Sequence, residues 1–202
     1  MNPQEAGIGE GISEVIVTTK SAAGKPNAAP IGIITTVDDD GARAHQVKLY
    51  RGSQTLANVL ETDTLAANVT TDAVLFIETA FDDLPQEYFT EFFGIPVLRE
   101  ATAWIIFTSE LVEERPQYLR FQLCPQAGEI NRKEVKAINR GLNAVIEATV
   151  LATRLRITKE EREREAMRKE MERYAAIVAK CGGWREREAM GMLKEKFLHG
   201  AE

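Results

Sequence analysis

The sequence predicts a mainly β protein with added helices, of the α+β class, in which an antiparallel β-barrel is followed by a C-terminal helical lobe. Residues 14–127 contain six short runs rich in β-branched residues, and turn residues separate these runs. From about residue 131 the apolar residues recur at spacings of three and four, which is typical of amphipathic helices. A chain of 202 residues is long enough for one barrel domain and a small helical subdomain.

The first three strands are predicted at residues 14–19 (EVIVTT), 31–37 (IGIITTV) and 44–50. Gly24, Pro26 and Pro30 mark a loop between the first two strands, because glycine and proline interrupt regular pairing. The run DDDG at residues 38–41 is a strong turn signal and ends the second strand.

Three further strands are predicted at residues 64–70, 101–112 and 118–124, with short helices at 54–60 and 73–79. Six strands with short connections predict a closed or nearly closed antiparallel barrel. We therefore expect the barrel domain to occupy residues 1–127.

The C-terminal part is predicted to form three helices, at residues 131–153, about 158–181 and 184–198. One apolar face supports the first of them: Val135, Ile138, Leu142, Val145 and Thr149. Thr158 and Glu161 have the spacing of a capping box, and Gly182 with Gly183 would end the second helix. We expect residues 128–202 to be a helical subdomain that packs on the barrel or on a second subunit.

Composition excludes several classes of function. The net charge is −6, and the first 158 residues hold 14 basic and 21 acidic residues, which argues against binding to a phosphate backbone. No apolar run approaches the ~20 residues of a membrane-spanning helix. The N-terminal residues lack the basic and apolar regions of a signal peptide, so we expect a soluble, cytoplasmic protein that binds neither nucleic acid nor membrane.

Few residues are suited to metal binding or nucleophilic catalysis. Cys124 and Cys181 are far apart in sequence and form no C-x-x-C pair, so neither a metal site nor a disulfide framework is expected. The two histidines are His45 and His199, and we interpret His45 as a solvated strand residue. If the protein carries out chemistry, we expect a cofactor to supply it.

The first candidate ligand-binding segment is Asn27-Ala28-Ala29-Pro30-Ile31-Gly32, in the predicted loop that enters the second strand. Its small side chains would let a flat ligand approach free backbone N–H and C=O groups. The asparagine amide adds both a donor and an acceptor. The alternative is an ordinary proline-containing turn, which the pattern alone favours.

The second candidate segment spans residues 48–58, where a strand ends and a short helix begins. Ser53 is placed as the N-cap, and hydroxyls of Ser53 and Thr55 lie near the first N–H groups of the helix. With Lys48 and Arg51 beside them, these groups would suit a phosphate. A merely capped helix with two exposed cations explains the pattern equally well.

Four sequence segments together resemble the domain-of-unknown-function family DUF447, whose members are largely archaeal. They are EVIVTT, GKPNAAPIG, LYRGSQTLANV and AANVTTD, and the later NRGLNAVIEATVLATR is similar to the helical segment of that family. The resemblance covers nearly the whole chain in order. It implies the FMN-binding split-barrel fold of flavin reductases and pyridoxamine-phosphate oxidase, and a homodimer with FMN at the subunit interface.

The resemblance implies that the flavin ring lies near residues 27–32 and that the phosphate lies near Ser53 and Thr55. The predicted cofactor-binding residues are Asn27, Ala28, Ala29, Pro30, Gly32, Lys48, Tyr50, Arg51, Ser53, Thr55, Asn58 and Asn68. Asn68 is included because a mid-strand amide needs a partner, which is either backbone within the barrel or a ligand.

Two functions remain open. The first is a flavin-dependent oxidoreductase resembling flavin reductases, with an unknown small-molecule electron donor or acceptor. The second is a non-catalytic module that holds flavin or binds a partner. No catalytic acid or base can be named, although Tyr50 and His45 are candidates, and five aromatic residues could line a substrate pocket or belong to the core: Phe81, Tyr88, Phe89, Phe92 and Phe93.

Overall fold

The computed structural model describes residues 1–134 and 136–198. Its contacts divide the chain into two compact units. The barrel unit comprises residues 1–70 and 83–134, and the helical unit comprises residues 71–82 together with 136–198. Residues 71–82, from the N-terminal half of the sequence, therefore group with the C-terminal helices.

Six strands of the barrel unit close into an antiparallel barrel in the order β1-β2-β3-β8-β7-β4, and β5 and β6 form a separate hairpin. The strands are β1 Gly11–Lys20, β2 Pro26–Val37, β3 Arg43–Tyr50, β4 Thr64–Val69, β5 Phe89–Phe92, β6 Ile95–Leu98, β7 Ala103–Glu114 and β8 Tyr118–Ile130. The helices are α1 Gln54–Thr62, α2 Ala73–Phe81, α3 Arg140–Leu155, α4 Glu161–Cys181 and α5 Trp184–Phe197. Short 3₁₀ helices lie at Pro3–Ala6 and Gln86–Tyr88. The predicted α+β class and six-stranded barrel are confirmed.

The barrel core comes from alternate residues of the strands, because successive side chains of a strand point to opposite faces. Its fully buried members include Val17, Ile33, Val47, Leu65, Ile105 and Phe107. The predicted turn after β2 is present: the Asp38 carboxylate accepts hydrogen bonds from the N–H groups of Asp40 (3.1 Å) and Ala42 (2.7 Å), and Gly41 has a positive φ of 82°.

The β5–β6 hairpin, which sequence reasoning missed, covers part of the outer face of the barrel. Thr18 donates to the Pro96 carbonyl at 2.5 Å, and the Leu98 N–H donates to the Asn68 side chain at 2.6 Å. The Asn68 amide in turn donates to the Ile16 carbonyl and the Thr18 hydroxyl, both at 2.9 Å. These side chains are completely buried although they lie on the side of the strands opposite the barrel core.

Residues 27–32 are strand, not loop as predicted. β2 begins at Pro26 and pairs residue for residue with β1 from Lys20↔Pro26 to Gly11↔Thr35. Two prolines do not prevent this pairing, because proline is tolerated where its missing N–H is not needed by a neighbouring strand. β8 likewise extends beyond its predicted end, to Ile130, with a register irregularity near Pro125.

The helical unit has its own core, which includes Val145, Ala148, Met171, Val178 and Leu193. α3 and α4 approach closely at one end. A Cβ on Gly141 would lie 2.5 Å from the Cα atom of Gly182, so only glycine fits there.

Two predicted helix starts are wrong. The first helix begins at Arg140 rather than residue 131, with Asn139 as its N-cap, because the N–H groups of Asn131 and Arg132 donate to the Thr102 carbonyl. Ile138, from the predicted apolar face, therefore lies outside the helix and is exposed, whereas Val135 lies outside the described residues.

The second helix begins at Glu161, and Thr158 does not cap it. The Thr158 hydroxyl instead donates to the Arg154 carbonyl at 3.0 Å, at the end of the preceding helix. The predicted end of this helix at Gly182 and Gly183 is correct, since α4 ends at Cys181. Among residues 1–134 and 136–198, no helix is both long and apolar enough to cross a membrane.

Candidate functional site

The first half of β2 has a strand neighbour on one side only. β1 pairs with β2 along Pro26–Thr35, but the pairing of β2 with β3 runs only from Ile33↔Val47 to Val37↔Arg43. In an antiparallel sheet alternate residues direct their N–H and C=O groups to the same neighbouring strand. Alternate residues of the segment 26–32 therefore direct backbone donors and acceptors away from β1, toward a side with no paired strand. We call this segment the free edge of β2.

The side chains along the free edge are small, which keeps its backbone accessible. Ala28, Ala29, Pro30 and Gly32 are all half-buried. Gly32 lacks a positive φ, so its backbone is one that any residue can adopt. A Cβ at this position would lie 2.6 Å from Ile12 Cγ2, so a larger residue would require the exposed Ile12 side chain to shift, whereas the backbone conformation would not oppose it.

One polar contact joins α1 to β2, a second joins it to β1, and a third lies within the helix. Asn27 Nδ2 donates to Thr55 Oγ1 at 3.1 Å, and Asn58 Nδ2 donates to Thr19 Oγ1 at 2.9 Å. Gln54 Nε2 donates to the side-chain oxygen Oδ1 of Asn58 at 2.7 Å. Thr55 and Asn58 are buried, so unpaired polar groups here would be costly. The first turn of α1 is thereby fixed next to the free edge.

The N-terminus of α1 is capped by Ser53, as predicted. The Ser53 hydroxyl accepts from the Leu56 N–H at 3.2 Å and donates to the Tyr50 carbonyl at 2.8 Å, so its single proton is already used. Gly52, with φ of 83°, makes the turn from β3 into the helix. The N–H groups of Gln54 and Thr55 belong to the first turn and have no intrahelical acceptor. Backbone donors rather than the Ser53 hydroxyl are therefore the groups available to an anion.

The two predicted cations differ in availability. Arg51 forms an ion pair with Glu114, and its Nε donates to the Arg115 carbonyl at 3.1 Å, which fixes its guanidinium against the β7–β8 connection. The Lys48 ammonium lies 5.3 Å from the centre of the Tyr118 ring and has no ion-pair partner among the described residues. Lys48 is thus the cation that can turn toward a ligand.

The structure brings most of the predicted site residues into two adjoining groups. Asn27, Thr55 and Asn58 belong to the polar contacts of α1 with β1 and β2, and residues 48–53 comprise the end of β3 and its connection to α1. Asn68 lies elsewhere, enclosed beneath the β5–β6 hairpin. Thr19 was not foreseen as a site residue, and nothing local marks it, because its partner is 39 positions away.

His45 is not the solvated residue that the sequence analysis expected. It is only 4% exposed, and its Nδ1 lies 2.9 Å from the Thr35 hydroxyl. Burial, together with the nearby Arg43 guanidinium, lowers the pKa of His45 below its usual value. His199, the other histidine, lies outside the described residues.

The predicted aromatic stretch does not form one pocket wall. Phe81 belongs to the helical unit, where its ring centre lies 4.9 Å from that of Phe197. Phe89 is buried, and Phe92 packs on Trp104 with 5.7 Å between ring centres. Phe93 is exposed at the hairpin tip. No group of three or more His, Cys, Asp or Glu side chains within residues 1–134 and 136–198 is arranged to hold a metal ion.

Solved structures of other proteins share this fold. An FMN-bound protein from Methanosarcina mazei is 38% identical, with a TM-score of 0.85 over 96% of this chain and 99% of that one. Flavoredoxin from Methanosarcina acetivorans is 12% identical with a TM-score of 0.52, over 62% of this chain and 72% of that one. A flavin reductase domain protein from Arthrobacter is also 12% identical, with a TM-score of 0.51 over 64% and 84% of the two chains. At such low identity the last two show a common fold alone.

Two family models match the chain. Residues 13–132 match the N-terminal domain of a protein family of unknown function, DUF447, and residues 139–195 match a second model of the same family. The predicted resemblance is confirmed on both the barrel and the helical part of the sequence. This chain belongs to the DUF447 family.

Proposed function

We propose that the protein binds FMN, with the flavin ring along the free edge of β2 and the phosphate beside the N-terminus of α1. The observation that carries the proposal is the unpaired backbone of residues 26–32 next to a capped helix start. The 38% identical relative from Methanosarcina mazei is FMN-bound, which supports the same ligand here.

The residues of the free edge fit a flat, polar-edged ring. N–H groups of Ala28 and Gly32, which alternate along the unpaired side, supply donors, and their carbonyls supply acceptors, whereas Pro30 on the same side can only accept. The small side chains of Ala28, Ala29 and Gly32 leave the backbone open to close approach. When bound, FMN would supply hydride and electron transfer, and the protein would hold the ring and limit its contact with water.

The phosphate would be held by groups of the β3–α1 connection. The N–H groups of Gln54 and Thr55 point outward from the helix start, where the helix dipole favours an anion. Lys48 adds a positive charge without an ion-pair partner among the described residues. Asn27 and Asn58 act on this site indirectly, by fixing α1 to β1 and β2.

We propose that the activity is that of a flavin-dependent oxidoreductase of the flavin reductase kind. The test is the visible spectrum of the purified protein, followed by its oxidation of NADH and NADPH when loaded with FMN. Flavin bands near ~450 nm and turnover with either nucleotide are expected. Flavin bands without reduction by either nucleotide would instead favour a module that holds flavin without nicotinamide-dependent catalysis.

Lys48→Gln tests the phosphate position. Loss of one charge-assisted contact is worth roughly 1.5–3 kcal/mol, so FMN affinity should fall by about tenfold or more while riboflavin affinity stays unchanged. Arg51→Gln is the matched control, because the Arg51 guanidinium is already bound to Glu114 and should matter less. If Lys48→Gln lowered the affinities for FMN and riboflavin equally, the phosphate would not be bound by Lys48 beside α1.

A further inference from the structure

A cleft opens at the end of the barrel where β3 begins. It has a volume of about 680 Å³, and its lining includes Met1, Pro3, Arg43, His45, Gln122 and Cys124. None of the residues proposed to hold the flavin lines this cleft. The cleft is therefore distinct from the proposed flavin site.

Arg43 brings an unpaired positive charge to this cleft. Its Nη1 atom is buried and has no hydrogen-bond partner among the described residues, and no carboxylate of those residues forms an ion pair with it. In the turn before β3, Oδ1 of Asp38 accepts from two backbone N–H groups, and Asp38 forms no ion pair with Arg43. Arg43 as a whole is half-buried, but a guanidinium nitrogen that loses water without gaining a partner is costly, and an anion beside it would offset that cost.

His45 adds a directed donor to the same cleft. The residue is only 4% exposed, and the Thr35 hydroxyl lies within hydrogen-bond distance of its Nδ1. Its Nε2 has no hydrogen-bond partner in the described residues, and the ring lines the cleft. When Nδ1 accepts from the threonine hydroxyl, the neutral ring carries its proton on Nε2 and presents an N–H to the cleft.

We propose that this cleft binds a small organic carboxylate, with the carboxylate on Arg43 and His45 and the apolar part of the ligand against the neighbouring side chains. A planar guanidinium matches a carboxylate through two parallel hydrogen bonds. Met1, Pro3 and Leu123 supply apolar lining beside these donors. The cleft volume is within the range of ordinary small-molecule sites.

The lowered pKa of His45 is consistent with this assignment, and a change in that pKa would report binding of a carboxylate. Arg43 contributes to that lowering, and a bound carboxylate would offset the guanidinium charge. An anion beside the imidazole favours its protonated form, so the pKa of His45 should rise when the cleft is filled.

The experiment is a pH titration of the histidine ring protons by NMR on the full chain, with increasing benzoate at constant ionic strength. The chain has two histidines, so His199→Asn identifies the signal of His45. We expect a saturable rise of the pKa of His45 with benzoate and none with benzamide, which has the same apolar body without the charge. Arg43→Gln should weaken the benzoate response by about tenfold or more.

Two controls keep the result interpretable. Arg187→Gln removes the same charge from an exposed position on α5 and should leave the benzoate response unchanged. In Arg43→Gln without benzoate, the pKa of His45 should rise but stay below its usual value, because burial still lowers it; a pKa at the usual value would indicate that the variant is unfolded around the histidine.

Three results would overturn the proposal. They are an unchanged pKa of His45 at the solubility limit of benzoate, an equal response to benzamide, and an undiminished response in a folded Arg43→Gln protein. A further outcome would also overturn it: Arg43→Gln changes the oligomeric state, and benzoate has no effect on the parent protein. In that case the guanidinium would pair with a second copy of the chain rather than with a carboxylate ligand. None of these outcomes depends on flavin binding.

Discussion

At the scale of single residues, position in the barrel rather than residue type determines the surroundings and hydrogen-bond partners of His45 and Asn68. His45 shares the alternation of Val47 and Leu49, so the period of two in β3 already places it on the inward face. The strand pattern therefore predicts that His45 is buried, whereas the usual behaviour of histidine predicts that it is exposed, and the strand pattern is correct. For Asn68 no such signal existed, because its partners are contributed by β1 and by the unforeseen hairpin.

We expect His45 to make the protein less stable as the pH falls. Its pKa is lowered in the folded state, so the unfolded chain, with a pKa near 6.5, binds the proton more readily. The free energy of unfolding should decline as the pH falls through 6.5 and level off below the folded pKa. Urea denaturation from pH 8 to 5 should show a shallower decline in His45→Gln and an unchanged one in His199→Asn. The same decline in His45→Gln as in the parent protein would contradict this assignment.

We expect Asn68→Ala to destabilise the barrel without acting on ligand affinity. Removal of the amide leaves the buried Leu98 N–H and the Thr18 hydroxyl with fewer partners, at about 1–3 kcal/mol for each unsatisfied group. Chemical denaturation measures the loss, and FMN titration at low temperature measures binding to the folded variant. If FMN affinity falls while stability is retained, Asn68 contacts the ligand after all.

At the scale of elements, β2 shows what local sequence can and cannot reveal. Its small residues and glycine predict the right segment but the wrong structure, because pairing with β1 makes it a strand. That β3 leaves its other side unpaired depends on register between distant strands. The two wrong helix starts have the same cause. Asn131 and Asn139 are equally good N-caps locally, and only the bond from the Asn131 N–H to Thr102 decides between them.

Gly32→Val tests the free edge of β2. The glycine backbone suits valine, but the new Cβ would lie 2.6 Å from Ile12 Cγ2, so we expect a loss of roughly 1–3 kcal/mol from overpacking. The bulk should also block close approach of a flavin ring, giving a folded protein that does not regain colour with excess FMN. Thermal unfolding of the two apo-proteins and FMN titration measure the two effects.

Adding Ile12→Ala to Gly32→Val distinguishes the loss of stability caused by the clash from the loss of FMN binding caused by the blocked strand edge. In the pair Ile12→Ala with Gly32→Val, the apo-protein should recover most of its melting temperature, because the exposed isoleucine no longer occupies the space. FMN binding should remain lost. If Gly32→Val bound FMN as tightly as the parent protein, this part of β2 would not contact the flavin.

At the scale of the whole molecule, the barrel unit leaves large apolar side chains in contact with solvent. Ile12, Tyr50 and Val112 are 66%, 63% and 50% exposed, and each belongs to a different strand. Together with the unpaired backbone of residues 26–32, they are surface that association could bury. This supports the predicted homodimer, in which symmetry would supply the same surface from both copies.

We expect a twofold-symmetric dimer with two FMN molecules, each bound where one subunit faces the other. Sedimentation at micromolar protein concentration should give the dimer mass, and FMN should bind with a stoichiometry of one per chain. Ile12→Arg should shift the protein toward monomer and weaken FMN, because a charge at this position would lose water in the interface. Ile157→Arg is the matched control, since Ile157 is 79% exposed but belongs to the helical unit. A monomer that binds FMN as tightly as the parent protein would show that one chain completes the site, and that the exposed residues of the barrel serve another purpose.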